Sequence, residues 1–271
     1  MSAIATAAPA VAVDPILLDR VVDGVATLTL NRPRQYNALS TEMLDALLKA
    51  LGRIENDAAV RVVEIAGSGP AFCAGHDLKE MRADPGKAFY DRLFAKCSEF
   101  MLTLARLPQP VIARVHGIAT AAGCQLVAAC DLAVVSDNAT FATSGINVGL
   151  FCSTPAVALT RNVSRKRAME MLMTGDFIDA ATARDFGLVN RVVPIAELDA
   201  EVARLAASIK SKSPVAVATG KRLFYPQLEA GVADAYRMAA EAMTCNMLAD
   251  DAQNGVGAFV DKLPMPHWQG R

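Results

Sequence analysis

What this 271-residue chain lacks first is charge of one sign: 27 Lys and Arg stand against 28 Asp and Glu, for a formal net charge of −1. Polyanion binders carry a clear basic excess, so nucleic-acid binding is excluded as the main function class. The chain also lacks low-complexity composition: 53% of its residues are hydrophobic, which argues against disorder and leaves apolar surface to cover a subunit interface. The six cysteines (Cys73, Cys97, Cys124, Cys130, Cys152, Cys245) form no CxxC and have no His at metal spacing. A chain of this length needs no disulfide staples, so they read as buried thiols in a reducing, cytoplasmic setting, with no structural metal.

Long apolar spans are missing too. The run Val115–Cys130 is uncharged but shorter than the roughly 20 residues that cross a bilayer. The run Asn138–Thr160 is interrupted by Asn, Ser, Thr, Gly and Pro. Both read as protein interior, and no membrane partner is expected. Residues 1–13, MSAIATAAPAVAV, have neither the basic start of a secretory signal nor the arginines of a mitochondrial presequence. Residues 1–14 are expected to be a disordered tail.

What is present is an alternation of strand and helix signals. Val25–Leu30 alternates apolar and polar residues as a strand does, and Asn31-Arg32-Pro33 ends it. Ser40 or Thr41 caps a helix through Gly52, with Met43, Leu44, Leu47, Leu48 and Leu51 at helical spacing. Strands are predicted at 60–66, 111–115 and 132–136, and helices at 85–107 and 123–130. Such alternation needs crossover connections and predicts an α/β fold with a mainly parallel sheet. From about Glu197 only helical signals remain. The predicted division is a core over 15–199 and a helical region over 200–271.

Two loops could carry chemistry. Ala71–Glu80 (AFCAGHDLKE) follows a strand with small residues, which let a ligand approach backbone N–H groups; an ordinary tight turn is the plain alternative. Val115–Gln125 (VHGIATAAGCQ) runs from a strand through small residues into a helix start, where N–H groups are free and the dipole is positive. One amide from each loop, converging on one oxygen, would form an oxyanion hole.

These residues carry a resemblance. LNRP and NAL within Leu30–Leu39, AFCAGHDLKE, VHGIATAAGCQLVAACD at Val115–Asp131, MLMTGDFIDAATARDFGLVNRVVP at Met171–Pro194 and the ending FVDKLPMPHWQGR are similar to the crotonase superfamily, the enoyl-CoA hydratase/isomerase family. The resemblance implies a ββα spiral core, a helical C-terminal trimerisation region, a homotrimer or dimer of trimers, and an acyl-CoA thioester as ligand with no other cofactor. It implies oxyanion donors at the main-chain N–H of His76 and Ala122. It further implies thioester or CoA contacts from Asn37, Ala38, Ala74, Gly75, Asp77, Leu78, Lys79, Gly123 and, across subunits, Lys262.

The acid/base positions depart from the family pattern. The two glutamates of family hydratases fall on Gln125 and Gly145, and neither residue exchanges a proton at neutral pH. A positioned acid or base contributes about 10²–10⁴-fold, so two-carboxylate hydration is not supported. A later loop position, which carries Asp elsewhere in the superfamily, falls near Ser153. The loop ATSGINVGLFCSTP together with Gln125 resembles the enoyl-CoA hydratase domain-containing subgroup. Expected substitutes for the glutamates are a water held by Gln125, the Ser144 or Ser153 hydroxyl, His76, or the substrate itself. His116, Cys124 and Cys152 read as packed residues, and Arg161–Arg167 as a solvated helix start that could also meet CoA phosphates. An acyl-CoA-binding pseudoenzyme and a CoA-thioester hydrolase or decarboxylase are the rival readings.

Overall fold

The computed structural model describes residues 14–271. The predicted tail therefore falls, apart from Asp14, outside the described residues. The chain opens with a hairpin, β1 (Leu17–Val22) and β2 (Val25–Leu30), in which Leu17 pairs with Leu30 and Val22 with Val25. The alternation in β2 has its expected effect: Ala26, Leu28 and Leu30 point into the main core, and Val25, Thr27 and Thr29 lie half-buried on the other face of the sheet. Helix α1 (Thr41–Glu55) begins where the Ser40 side chain accepts the Met43 N–H at 3.2 Å. Its buried stripe is Met43, Leu44, Leu47, Ala50, Leu51 and Ile54.

Three ββα units follow. They are β3 (Val62–Gly67), β4 (Ala71–Cys73), then α2 (Leu78–Ala83) and α3 (Lys87–Arg106); β5 (Val111–Val115), β6 (Ile118–Thr120), α4 (Ala122–Ala129); and β7 (Leu132–Ser136), β8 (Thr140–Ala142), then α5 (Ser153–Leu159) and α6 (Arg165–Thr174). Each unit places its first strand in one sheet and its second in another. The result is a six-stranded sheet in the order β1-β2-β3-β5-β7-β10 and a four-stranded sheet in the order β4-β6-β8-β9, with β9 (Ile178–Asp179), α7 (Ala180–Phe186) and β10 (Arg191–Val193) closing them. From β2 to β10 the larger sheet is parallel, as the crossovers require. The fold is thus α/β, and the chain from α8 (Leu198–Lys210) through α9 (Pro214–Leu228), α10 (Val232–Met247) and α11 (Asp250–Val260) is helical.

The two faces of the larger sheet have different partners. Val63, Ile65, Ala113 and Val135 face the main core with α1 and α3, while Val62, Ile112 and Val134 face Leu198, Val202 and Ala206 of α8. Buried on both sides, these strands are near-continuous apolar runs, as in covered parallel sheets. Strand β3 starts two residues later than the apolar run predicts. Val60 closes a turn by donating to Asp57 O, and the Arg61 N–H is taken by Gly24 O. Both uncharged runs are divided among short strands and helices, and no helix of the described residues is long and apolar enough to cross a membrane.

Candidate functional site

The two sequence-predicted loops meet. Gly75, just after β4, has φ +91°, and a Cβ there would lie 2.9 Å from Ala121 Cβ and 3.0 Å from the Ala122 nitrogen. Only a glycine allows this turn and this approach. Gly123 permits a closer contact still: its Cβ would stand 2.0 Å from Cys73 O, so α4 rests directly on β4. Ala122 is the first residue of α4, and its N–H is one of the donors that a helix start leaves without an internal partner. Ala121 holds φ 51° and ψ −120°, a backbone state that costs a non-glycine residue on the order of 1–3 kcal/mol. Its N–H is pinned to Ala142 O at 3.0 Å.

A third segment fixes the first loop. Asn37 is fully buried; it accepts the Arg32 N–H and donates to Ser68 O and Ala71 O, both at 2.8 Å. Arg32 donates to Ala38 O and pairs with Asp77 at 3.0 Å. The Leu39 N–H donates to Gly75 O at 2.7 Å, and Glu80 accepts the Thr41 N–H. Asp77 also caps α2 by accepting from Lys79 and Glu80. Burial opposes its ionisation, but the hydrogen bonds from Arg32, Glu80 and Lys79 outweigh burial and hold its carboxyl below the usual range. Asn37, Ala38 and Asp77 thus hold loops in place.

Beside the loops lies a cavity of about 340 Å³. Ala74, His76, Ala121 and Ala122 form one side, Leu78, Met81 and Phe94 another, and the segment from Ser144 to Pro155 the third. Gly75, Asp77, Lys79, Gly123, Gln125 and Lys262 do not line it. No Asp, Glu, Lys or Arg does. A larger groove of about 620 Å³ lies on the outer face of the six-stranded sheet beside α8; it holds none of the loop residues, and its Arg114 is already paired with Glu64 and Asp199.

Two of the hydroxyls that line the cavity are engaged. Ser144 and Thr120 share a hydrogen bond of 2.6 Å, and the Ser153 hydroxyl turns back to Phe151 O at 3.4 Å. Burial pushes the Cys152 thiol up, against a smaller opposing contact from the Gly145 backbone. The His76 ring lies edge-on to Phe94 at 5.5 Å, and neither ring nitrogen has a hydrogen-bond partner. Burial lowers its pKa more than the Leu39 backbone and the Glu80 carboxylate raise it. At Gly145 there is no room for a side chain: a Cβ would meet Leu150 O at 2.6 Å and Cys152 Sγ at 2.9 Å. Gln125 is buried on α4, its Oε1 unpartnered. His116 bonds Gly69 O at 2.8 Å, Arg161 pairs with Glu229, and Arg167 lies over the Phe186 ring.

Met81, Phe94, Leu150 and Phe151 are walls that the sequence reading did not single out. Periodicity shows that a side chain such as Phe94 leaves its helix on an apolar face; it does not show that part of that face borders a cavity.

Comparison with known proteins completes the description. The model of the family described as Enoyl-CoA hydratase/isomerase matches residues 20–271. Enoyl-CoA hydratase domain-containing protein 3, mitochondrial, of Rattus norvegicus is 46% identical over 249 residues, covering 92% of this chain and 83% of that protein. Among solved structures, an enoyl-CoA hydratase of Mycobacterium smegmatis superposes with TM-score 0.92 at 57% identity, covering 94% of this chain and 99% of that one. Human enoyl Coenzyme A hydratase domain-containing protein 3 gives TM-score 0.91 at 44% identity over 94% of this chain and all of that one. These relatives correct the cytoplasmic expectation: the rat, mouse and human proteins are named as mitochondrial and point to that compartment instead. Cysteine usage reports a reducing surrounding, not which compartment supplies it, and residues 1–13, on which the presequence expectation rested, lie outside the described residues. With its α/β spiral, its helical C-terminal region and a family match over nearly its whole length, the chain belongs to the enoyl-CoA hydratase/isomerase family of the crotonase superfamily.

Proposed function

We propose that the protein binds an acyl-CoA thioester with its carbonyl oxygen between the N–H groups of His76 and Ala122, and that it stabilises the enolate. The supporting observation is the contact of the two loops through Gly75, which sets both residues on one side of the same cavity. Donors held in place, away from bulk water, favour a developing negative charge without reorganising. The thioester enters as substrate, and the reading calls for no other cofactor. Among the described residues no group of three or more His, Cys, Asp or Glu is placed to hold a metal ion.

Two-glutamate hydration does not follow from this cavity, because no carboxylate lines it and Gly145 has no space for one. The same observation supports the second reading, a pseudoenzyme that binds acyl-CoA without turnover. One experiment separates them. Acetoacetyl-CoA is titrated with protein while its enolate absorption band is followed. Growth of the band supports enolate stabilisation. Binding with no growth favours the pseudoenzyme, and absence of binding removes the site assignment.

The reading includes a core over residues 15–199 and a helical oligomerisation region over 200–271 that assembles a homotrimer or a dimer of trimers. Its support is a set of large apolar side chains left on the surface of α9, α10 and α11: Phe224, Leu228, Tyr236, Met243, Phe259 and Val260 are each more than half exposed in the single chain. Lys262 stands just after α11, away from the cavity of its own chain, where a neighbouring subunit's CoA would be its target.

A further inference from the structure

We propose that the His76 side chain recognises a neutral oxygen, hydroxyl or ketone, on the acyl group of the ligand, so that the site prefers oxygenated acyl thioesters to plain saturated ones. This rests on the thioester reading above. The first observation is the state of the polar side chains on the cavity wall, where the Thr154 hydroxyl is unbonded but not buried. Ser144 is bonded to Thr120, and Ser153 turns back on Phe151 O. His76 lines the same wall with both ring nitrogens buried and unpartnered. Buried polar atoms are nearly always satisfied, and one that is not calls for a water or a ligand.

The second observation is the setting of the ring. Phe94 meets it edge-on at 5.5 Å; Tyr90 stacks on Phe94 at 6.3 Å and donates its hydroxyl to Met81 O at 3.1 Å. Met81 and Phe94 themselves line the cavity. The imidazole therefore sits where the loop after β4 meets the apolar side of the cavity made by α2 and α3. It belongs to the residue whose N–H is assigned to the thioester oxygen, which puts it on the side of the cavity where the acyl group would begin. Ligand entry that turns the ring toward the cavity would give an orphaned nitrogen a partner.

The third observation is what the wall does not hold. No Lys or Arg lines the cavity, so a second carboxylate on the acyl group would enter without a cation to pair with. A neutral oxygen meets no such penalty. Neutral imidazole offers one donor and one acceptor, which suits a hydroxyl at either nitrogen and a ketone at the donor.

The test is calorimetric titration of wild type and His76→Leu with butyryl-CoA, 3-hydroxybutyryl-CoA and acetoacetyl-CoA. Wild type is expected to bind the two oxygenated thioesters at least tenfold more tightly than butyryl-CoA, and in His76→Leu that ratio is expected to fall to within about twofold of one. Equal affinities in wild type, or a ratio kept in the variant, would overturn the proposal while leaving thioester binding intact. Absence of binding by all three thioesters would remove the site reading and this inference with it. If His76→Leu does not fold, His76→Phe, which keeps a ring without a hydrogen-bonding atom, takes its place with the same outcomes.

Discussion

The carbonyl oxygen of Leu150 stands 2.6 Å from the point a Cβ on Gly145 would occupy, while the Leu150 N–H donates to Gly145 O at 2.9 Å. The turn between them thus fills the space into which a side chain at Gly145 would grow. Restoring a glutamate there is a change of loop structure as well as of chemistry. Gly145→Ala is expected to lower stability by about 1–3 kcal/mol through overpacking, and Gly145→Glu to do so without producing hydratase activity. Urea denaturation checks the first; an unchanged midpoint would mean that segment 150–152 moves aside freely.

The Asp77 carboxylate joins the α2 cap to Arg32 across 45 residues of sequence. Asp77→Asn keeps a capping oxygen but loses the ion pair, and at pH 7 it is expected to lose about 1–2 kcal/mol. The folded-state pKa lies below the ordinary value. Such a group stabilises the fold above its unfolded pKa of about 3.9 and ceases to as pH falls through the folded value. The gap between wild type and variant should therefore be full near neutrality and close below about pH 4. A gap that persists in acid would show that the charge is not its source.

Helix α9 is tied to the core by one buried cation. Lys221 Nζ donates to Leu104 O, Gln109 O and Asp131 Oδ2 at 2.6–2.9 Å, and Tyr225 donates to the other Asp131 oxygen. Lys221→Met leaves the Asp131 carboxylate its donors from Val111 N–H and Tyr225 but no cation beside it in the interior, and is expected to cost about 3–5 kcal/mol. Lys212→Met, at an exposed position, should change stability by less than about 0.5 kcal/mol. Similar denaturation curves for the two variants would refute a structural role for the pair.

Burial pushes the thiols of Cys73, Cys97 and Cys124 up to about 12. The thiolate is the reactive form, so these three should resist iodoacetamide at pH 7.5 in the folded protein and react once it is unfolded in urea. Mass spectrometry of peptides from both states reads the difference. Rapid labelling of Cys124 in the native state would argue against its role as a packed residue.

Legibility followed element length and burial. Strands Val25–Leu30, Val111–Val115 and Leu132–Ser136 could be read because five or six residues with clear boundaries leave a pattern. The strands of the smaller sheet have two or three residues each, too few to show a period. Helix α2 was likewise hidden inside a loop motif: with six residues and no buried side chain, it has no apolar stripe.

The composition and motifs of this chain were enough to determine its α/β class and its family and to pick out the two loops proposed to hold the thioester, because strand runs, helix caps and small-residue turns are local signals. The absence of glutamates at Gln125 and Gly145 was equally a fact of the sequence. Only the folded chain decided that Gly145 cannot receive a side chain, that Asn37 and Asp77 hold loops in place, and that the His76 ring stands unpartnered beside an apolar wall. Those outcomes depend on which backbone atoms from distant segments occupy the same few ångströms, and no pattern confined to one segment records them.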